Sequence, residues 1–245
     1  MLLILTGTIR PAKETEFLAL RDEKERLRQY EESIRFFIRT EAFSKIIFCE
    51  NSNYGAEKLS YLAEEAKERQ VSLEILSFKG DAGQAKIHGK GFGEGEIMQH
   101  LFQNSVLLEG ESFFVKVTGR LKVDNIKDIV SKIKEGQCYF NIPNRTHREM
   151  YDTKIYAMPV ELFSGRFLNA YDRVEDSKGI YLEKVYTAVI REHGIRVKNF
   201  PRFPRVTGVS ASTGADYVYT EWKCKIRDVF SFLQFYKVGK RSSSF

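Results

Sequence analysis

Residues 89–124 read GKGFGEGEIMQHLFQNSVLLEGESFFVKVTGRLKVD. The stretch opens on Gly89, Gly91, Gly93 and Gly95 interleaved with Lys90, Glu94 and Glu96, which predicts a turn whose backbone takes positive φ and carries both signs of charge. Beyond Glu96, Ile97, Leu101 and Leu108 follow a helical period. A helix is therefore expected to begin where the glycines stop, leaving its first N–H groups beside the loop. Residues 112–117 read as a buried strand ending in Thr118-Gly119-Arg120. A hydroxyl, a glycine and a guanidinium thus stand at a strand's carboxyl end, the edge where open α/β sheets hold ligands. A plain strand-to-helix connection would use the same glycines, and that reading stands beside the ligand one. No Gly-Lys-Ser/Thr follows as in a Walker loop, and no acidic residue stands about 20 positions on at a strand end as a dinucleotide fingerprint requires. The pattern points to something other than NAD.

Outward from this stretch the chain alternates strand and helix. Residues 2–5 form a first strand opening into Thr6-Gly7-Thr8-Ile9-Arg10-Pro11. A long amphipathic helix is expected over 14–39, with Phe17, Leu20, Leu27, Tyr30, Ile34 and Phe37 on one face and a solvated charged face opposite. Residues 45–49 form a second strand ending in Glu50-Asn51-Ser52-Asn53, polar groups suited to a base or ribose. A helix through Leu59, Leu62 and Ala66 leads to a third strand at 71–78, which ends in Lys79-Gly80-Asp81. With a helix at 126–133 and a strand at 138–140, the first ~140 residues predict a mostly parallel sheet with helices on both faces. Later elements are expected as a strand at 153–158, a helix at 160–171, a flexible acidic segment at 172–179, a helix from Tyr181, a strand at 196–200 and a last helix. That last helix gathers Trp222, Ile226, Val229, Leu233 and Tyr236 on one face.

The 245 residues suffice for one α/β domain with a sizeable core, and the formal net charge of +6 is spread along the chain. A dispersed excess suits a small anionic ligand or an anionic surface better than a polyanion groove, so no nucleic acid partner is expected. Cys49, Cys138 and Cys224 stand apart and read as reduced core thiols. The short apolar start reads as a strand and not a signal peptide, and no run approaches the ~18 apolar residues of a membrane span. A cytoplasmic protein is expected, with contact at the inner face of the membrane as a further expectation.

Four histidines without HxxxH or HxH spacing and cysteines without CxxC predict no metal site, and no Gly-x-Ser-x-Gly elbow marks a hydrolase. Residues 201–217, PRFPRVTGVSASTGADY, carry Arg202 and Arg205 as forked donors for phosphate, and Ser210, Ser212 and Thr213 in a run able to form an anion nest. A capped turn would use the same residues. For acid–base work Glu183 stands out: it lies at the start of an apolar helix, where partial burial raises a carboxyl pKa, although a helix dipole would also favour it there. Asp152 is the second candidate, and Glu94 is a third acid beside the glycines.

The order of elements resembles a GT-A-type glycosyltransferase of Rossmann type: the first strand and its polar turn, ENSNYG, GKGFGEGEI, VKVTGRL and the YLEKVY helix. The KGFGEGE, KVTGR and GVSASTG patterns are similar to bacterial proteins encoded among capsule and lipopolysaccharide genes. The resemblance implies one domain, 1–245, with a donor half at 1–125 and an acceptor and catalytic half at 126–245. It implies transfer of a sugar from a nucleotide donor to a saccharide or lipid-linked acceptor, with no cofactor beyond that co-substrate. Thr6, Thr8, Arg10, Glu50 and Asn51 would bind the nucleoside. Lys90, Gly91, Glu94, Lys116, Thr118, Gly119 and Arg120, with Arg202, Arg205, Ser210, Ser212 and Thr213, would surround the diphosphate, and Glu183 would be the base. The family's metal-binding Asp-x-Asp is replaced by Thr118-Gly119-Arg120, which implies charge compensation by cations of the chain. A non-catalytic nucleotide-binding or assembly protein and a sugar-phosphate nucleotidyltransferase are the alternative functions.

Overall fold

A computed structural model describes residues 1–11, 22–141, 149–209 and 214–234. The elements are β1 (Leu2–Gly7), α1 (Glu23–Thr40), β2 (Lys45–Glu50), α2 (Ser60–Glu68), β3 (Ser72–Ser77), α3 (Ala82–His88), α4 (Lys90–Asn104), β4 (Phe113–Thr118) and β5 (Lys122–Val123). There follow α5 (Ile126–Val130), β6 (Cys138–Asn141), β7 (Asp152–Pro159), α6 (Val160–Arg166), α7 (Leu182–Glu192), β8 (Val197–Lys198), β9 (Val206–Val209), β10 (Asp216–Tyr217) and α8 (Glu221–Phe232).

Seven strands form one sheet in the order β3-β2-β1-β4-β7-β6-β8. The first four run parallel, β7 is antiparallel to both β4 and β6, and β8 is parallel to β6. The strands are apolar because both faces are covered. Leu3, Leu5, Phe48, Val115 and Val117 meet α1, α2 and α5 on one face. Leu2, Ile4, Ile47, Phe114 and Tyr156 meet α4, α6 and α7 on the other. The chain is thus an α/β fold with a mostly parallel central sheet, as its alternation predicts. Antiparallel pairs β10-β9 and β9-β5 make a second small sheet.

One consequence of topology decides the site. Because β7 runs against β4, the start of β7 lies beside the carboxyl ends of β1, β2 and β4. Asp152, Thr153 and Lys154 therefore join Thr6, Asn51 and Thr118 at one edge.

Several local expectations are corrected. The glycine stretch is not a loop: Gly91, Gly93 and Gly95 lie inside α4, and only Gly89 before them has positive φ, at 101°. They are glycine because other elements press against this helix. A Cβ on Gly95 would collide with the Tyr171 side chain, and one on Gly91 would sit 3.1 Å from Leu182 Cβ. Nor are the first N–H groups of α4 left open. Asp176, from the segment expected to be a flexible loop, accepts from Lys90 N at 3.0 Å.

The expected helix at 160–171 is the shorter α6 followed by a 3-10 turn at Ala170–Arg173, and the strand expected at 196–200 shortens to β8. The described part of the first helix starts after Asp22, whose side chain accepts from Glu25 N at 2.7 Å; Phe17 and Leu20 lie outside the described residues. All three cysteines are free and buried. No described helix is long and apolar enough to cross a membrane.

Candidate active site

A cavity of about 730 Å³ opens at the shared edge of β1, β2, β4 and β7. Its size lies within the range of small-molecule sites. The ends of the parallel strands supply its floor. Gly119 N donates to Thr6 O at 2.9 Å, which ties the end of β4 to that of β1. A Cβ on Gly119 would sit 2.6 Å from that oxygen, so only glycine allows the approach. Thr8 Oγ1 donates to Asn51 Oδ1 at 2.7 Å, and Asn51 Nδ2 reaches Gly93 O at 3.3 Å, joining the ends of β1 and β2 to α4.

Of the residues singled out from the sequence, Thr6, Thr8, Arg10, Asn51, Lys90, Gly91, Glu94, Thr118, Arg120 and Glu183 line this cavity. Glu50 does not, and its carboxylate is consumed by the fold. It accepts from Ser52 N and Tyr54 N, each at 2.7 Å, and from the Ser52 and Ser77 hydroxyls. Lys116 lies beneath the lining, fully buried, with its ammonium against the Glu94 carboxylate and donating to Thr118 Oγ1 at 3.2 Å and Thr153 O at 3.1 Å. Arg202 and Arg205 lie elsewhere. Arg202 pairs with Asp128 of α5 at 3.2 Å, and Arg205 with Glu221 and Asp228 of α8, both at 3.2 Å, so these guanidinium groups bind the 201–205 segment to its neighbours. Ser210, Ser212 and Thr213 lie outside the described residues.

One wall is cationic. Arg120 is only 5% exposed, donates to Gln29 Oε1 at 2.9 Å and lies near the Tyr30 ring. Arg26 is 3% exposed and donates to Thr8 O through Nε at 2.7 Å. Burial lowers the Arg26 pKa, Tyr30 offsets this in part, and the neighbouring charge of Arg120 lowers it further. Both guanidinium groups line the cavity, where their positive charge suits an anionic ligand. Arg10 at the rim pairs with Glu23 at 2.8 Å and stacks on Tyr54.

The opposite wall is built from α4, β7 and α7. Thr153 Oγ1 donates to Glu183 Oε1 at 2.9 Å. Burial pushes the Glu183 carboxyl above its ordinary value; its own backbone N–H opposes this, while Glu94 and Asp152 add to it through their negative charge. Asp152 is 4% exposed, is not among the lining residues, and binds Lys154 at 3.0 Å. Burial alone would lower the Lys154 pKa, but Asp152, Tyr217 and Glu183 together outweigh it and the ammonium is held above its usual value. Tyr181 and Tyr217 add aromatic surface to this side, with the Lys154 ammonium 5.5 Å from the Tyr217 ring centre.

Sequence reasoning passed over Arg26, Tyr30, Thr153, Lys154, Tyr181 and Tyr217 as lining residues. Arg26 carried a signal: it precedes Tyr30 by four positions and so shares the inward face of α1 with Ile34 and Phe37.

The chain matches no protein-family model and no curated protein. Among solved structures it is similar to a candidate nucleotide-diphospho-sugar transferase from Desulfovibrio desulfuricans G20, with a TM-score of 0.47 and 11% identity over 81% of this chain and 78% of that one. It is also similar to a glycosyltransferase involved in the glycosylation of the major capsid of PBCV-1, with a TM-score of 0.47 and 11% identity over 81% of both chains. At that identity the likeness concerns the path of the chain, and no activity is carried over from it.

Proposed function

We propose that the protein is a glycosyltransferase moving a sugar from a nucleotide donor to a saccharide acceptor. The observation that carries this reading is that one cavity holds two buried guanidinium groups, Arg120 and Arg26, from the ends of β4 and α1, and the carboxyl of Glu183, bonded to Thr153, from α7. Such a cavity suits a reaction in which negative charge grows on a phosphate while a proton leaves a hydroxyl.

In this reading the nucleoside lies over Thr6, Thr8 and Asn51, and the diphosphate faces Arg120. Ionised Glu183 takes the proton of an acceptor hydroxyl as its oxygen bonds to the anomeric carbon and the bond to the diphosphate oxygen breaks. Charge develops on the leaving diphosphate, so a cation fixed in a water-poor wall favours the transition state over the ground state. Thr153 would aim the carboxylate, and Lys116 would hold Glu94 and Thr118 in place from below.

A divalent metal is the usual diphosphate partner in the family the sequence resembles. The residues at the end of β4 do not fit one: Thr118 offers a hydroxyl, Gly119 nothing and Arg120 a positive charge. Among the described residues no three His, Cys, Asp or Glu side chains gather.

The KGFGEGE, KVTGR and GVSASTG resemblance supports a place in surface-polysaccharide synthesis. The test is a panel of UDP-, GDP-, dTDP- and CMP-sugars, read by thermal shift and by nucleotide release, with and without EDTA. Binding and release that survive EDTA are expected. Release of pyrophosphate from a nucleoside triphosphate would indicate a nucleotidyltransferase instead, and binding without turnover across donors and acceptors would indicate a non-catalytic protein.

A further inference from the structure

The last helix turns its polar side inward. Cys224, Asp228 and Ser231 are 2%, 6% and 4% exposed, whereas Trp222, Ile226, Val229 and Leu233 are 60%, 48%, 56% and 52% exposed. The reason lies in Asp228, which accepts from Phe203 N at 2.7 Å and pairs with Arg205 at 3.2 Å, anchoring α8 by its hydrophilic face. At 100° per residue the four apolar residues fall within a sector of about 60°, with Phe230 next to them. The result is an outward apolar ridge on an amphipathic helix.

Charge says what covers it. Lys223 flanks the ridge on one side and Lys225 on the other, while Arg227 lies nearer the inward face and stacks on the Phe203 ring at 4.5 Å. The helix has two acids, Glu221 and Asp228, and both are paired with Arg205. The remaining sequence, FYKVGKRSSSF after Gln234, adds three bases and no acid. A second copy docked by the same face would bring these cations against their own images. The helix is also small for such a role: at ~18 Å by about 11 Å its footprint is roughly 200 Å², against the ~800 Å² per partner of a standard interface.

We propose that α8 lies in the headgroup layer of an anionic bilayer, with Trp222, Ile226, Val229 and Leu233 at the acyl boundary and Lys223 and Lys225 among the phosphates. Only residues 218–220 separate α8 from β10, whose Tyr217 lines the cavity. Bilayer binding would therefore keep that cavity near a lipid-linked saccharide. This last step rests on the transferase reading; the binding itself does not.

Trp222 is the chain's one tryptophan, so its fluorescence reports on this helix alone. The experiment titrates the full chain, without donor or acceptor, with phosphatidylcholine vesicles with and without phosphatidylglycerol. A blue shift, quenching by brominated acyl chains and co-sedimentation are expected with the anionic vesicles only, and are expected to weaken in high salt. Lys223→Gln/Lys225→Gln should lower the partition coefficient roughly 30-fold, and Ile226→Ser/Val229→Ser should abolish co-sedimentation. These side chains are exposed, and circular dichroism verifies that the variants keep the fold. An unchanged spectrum with anionic vesicles overturns the proposal. So does a dimer in solution that Ile226→Ser/Val229→Ser splits.

Discussion

Thr153 Oγ1 donates to Glu183 Oε1 at 2.9 Å, joining the start of β7 to the first turn of α7. This bond favours the ionised carboxylate, while burial and the charges of Glu94 and Asp152 oppose ionisation. Removing it in Thr153→Val should raise the Glu183 pKa further, so a smaller fraction is ionised at a given pH. The acid limb of kcat/KM should then move to higher pH, and Thr153→Ser should restore it. An unmoved limb in Thr153→Val would show that Glu183 does not set the profile.

Glu183→Gln should bind donor like the parent protein and turn over about 10²–10⁴-fold more slowly, the usual cost of losing a general base. If Asp152→Asn loses turnover while Glu183→Gln keeps it, the role moves to Asp152. The same substitution reports on stability. A glutamate with a raised folded pKa binds its proton more tightly in the folded state. Its contribution is therefore favourable below the ordinary glutamate pKa and is lost as pH rises through the folded value. Glu183→Gln should be the more stable protein near neutrality, and the difference should shrink as pH falls. Denaturant midpoints across pH measure this, and a difference independent of pH would contradict it.

Arg120 and Arg205 should behave oppositely. Arg120 lines the cavity, and Arg120→Ala should weaken donor binding by about 1.5–3 kcal/mol, the range for a charged hydrogen bond. Arg120→Lys keeps the charge but not the fork, so it should recover part of that loss. Arg205 is tied to Glu221 and Asp228, and Arg205→Ala leaves the buried Asp228 short of its cation. It should lower thermal stability while leaving donor affinity unchanged. Isothermal titration beside thermal unfolding separates the two, and donor binding that falls with Arg205→Ala would place Arg205 in the site after all.

The alternation of apolar runs made the sheet and its covering helices legible, because strands buried on both faces must be apolar throughout. The edge where ligand groups collect was legible for the same reason: Thr6, Asn51 and Thr118 stand at or just past the carboxyl ends of such runs. What the sequence hid were contacts between elements distant along it. Arg202 and Arg205 look like phosphate ligands until α5 and α8 supply Asp128, Glu221 and Asp228 as partners. Asp176 looks like a solvated loop acid until it is found on the first N–H group of α4. The inward Asp228 of α8 has no counterpart in a periodicity argument, which places apolar residues inside by rule.

The glycines of α4 give the clearest case of packing overriding propensity, and they can be tested directly. Glycine disfavours a helix by about 1 kcal/mol relative to alanine, so the pattern reads as a loop. Tyr171, 6% exposed, lies across the helix at Gly95, stands edge-on to Phe92 and donates to Gln99 Oε1 at 2.7 Å. A Cβ at position 95 would overlap its side chain, and because Tyr171 is pinned at its ring and its hydroxyl, it cannot swing away. Gly95→Ala should therefore lose more to overpacking, about 1–3 kcal/mol or above, than it gains in helix propensity. Gly165, in α6, has nothing within 4 Å of its would-be Cβ. Gly165→Ala should stabilise by up to about 1 kcal/mol. Opposite shifts in the denaturant midpoints of the two variants are the expected result. A Gly95→Ala protein as stable as Gly165→Ala would mean that Tyr171 does not press on α4.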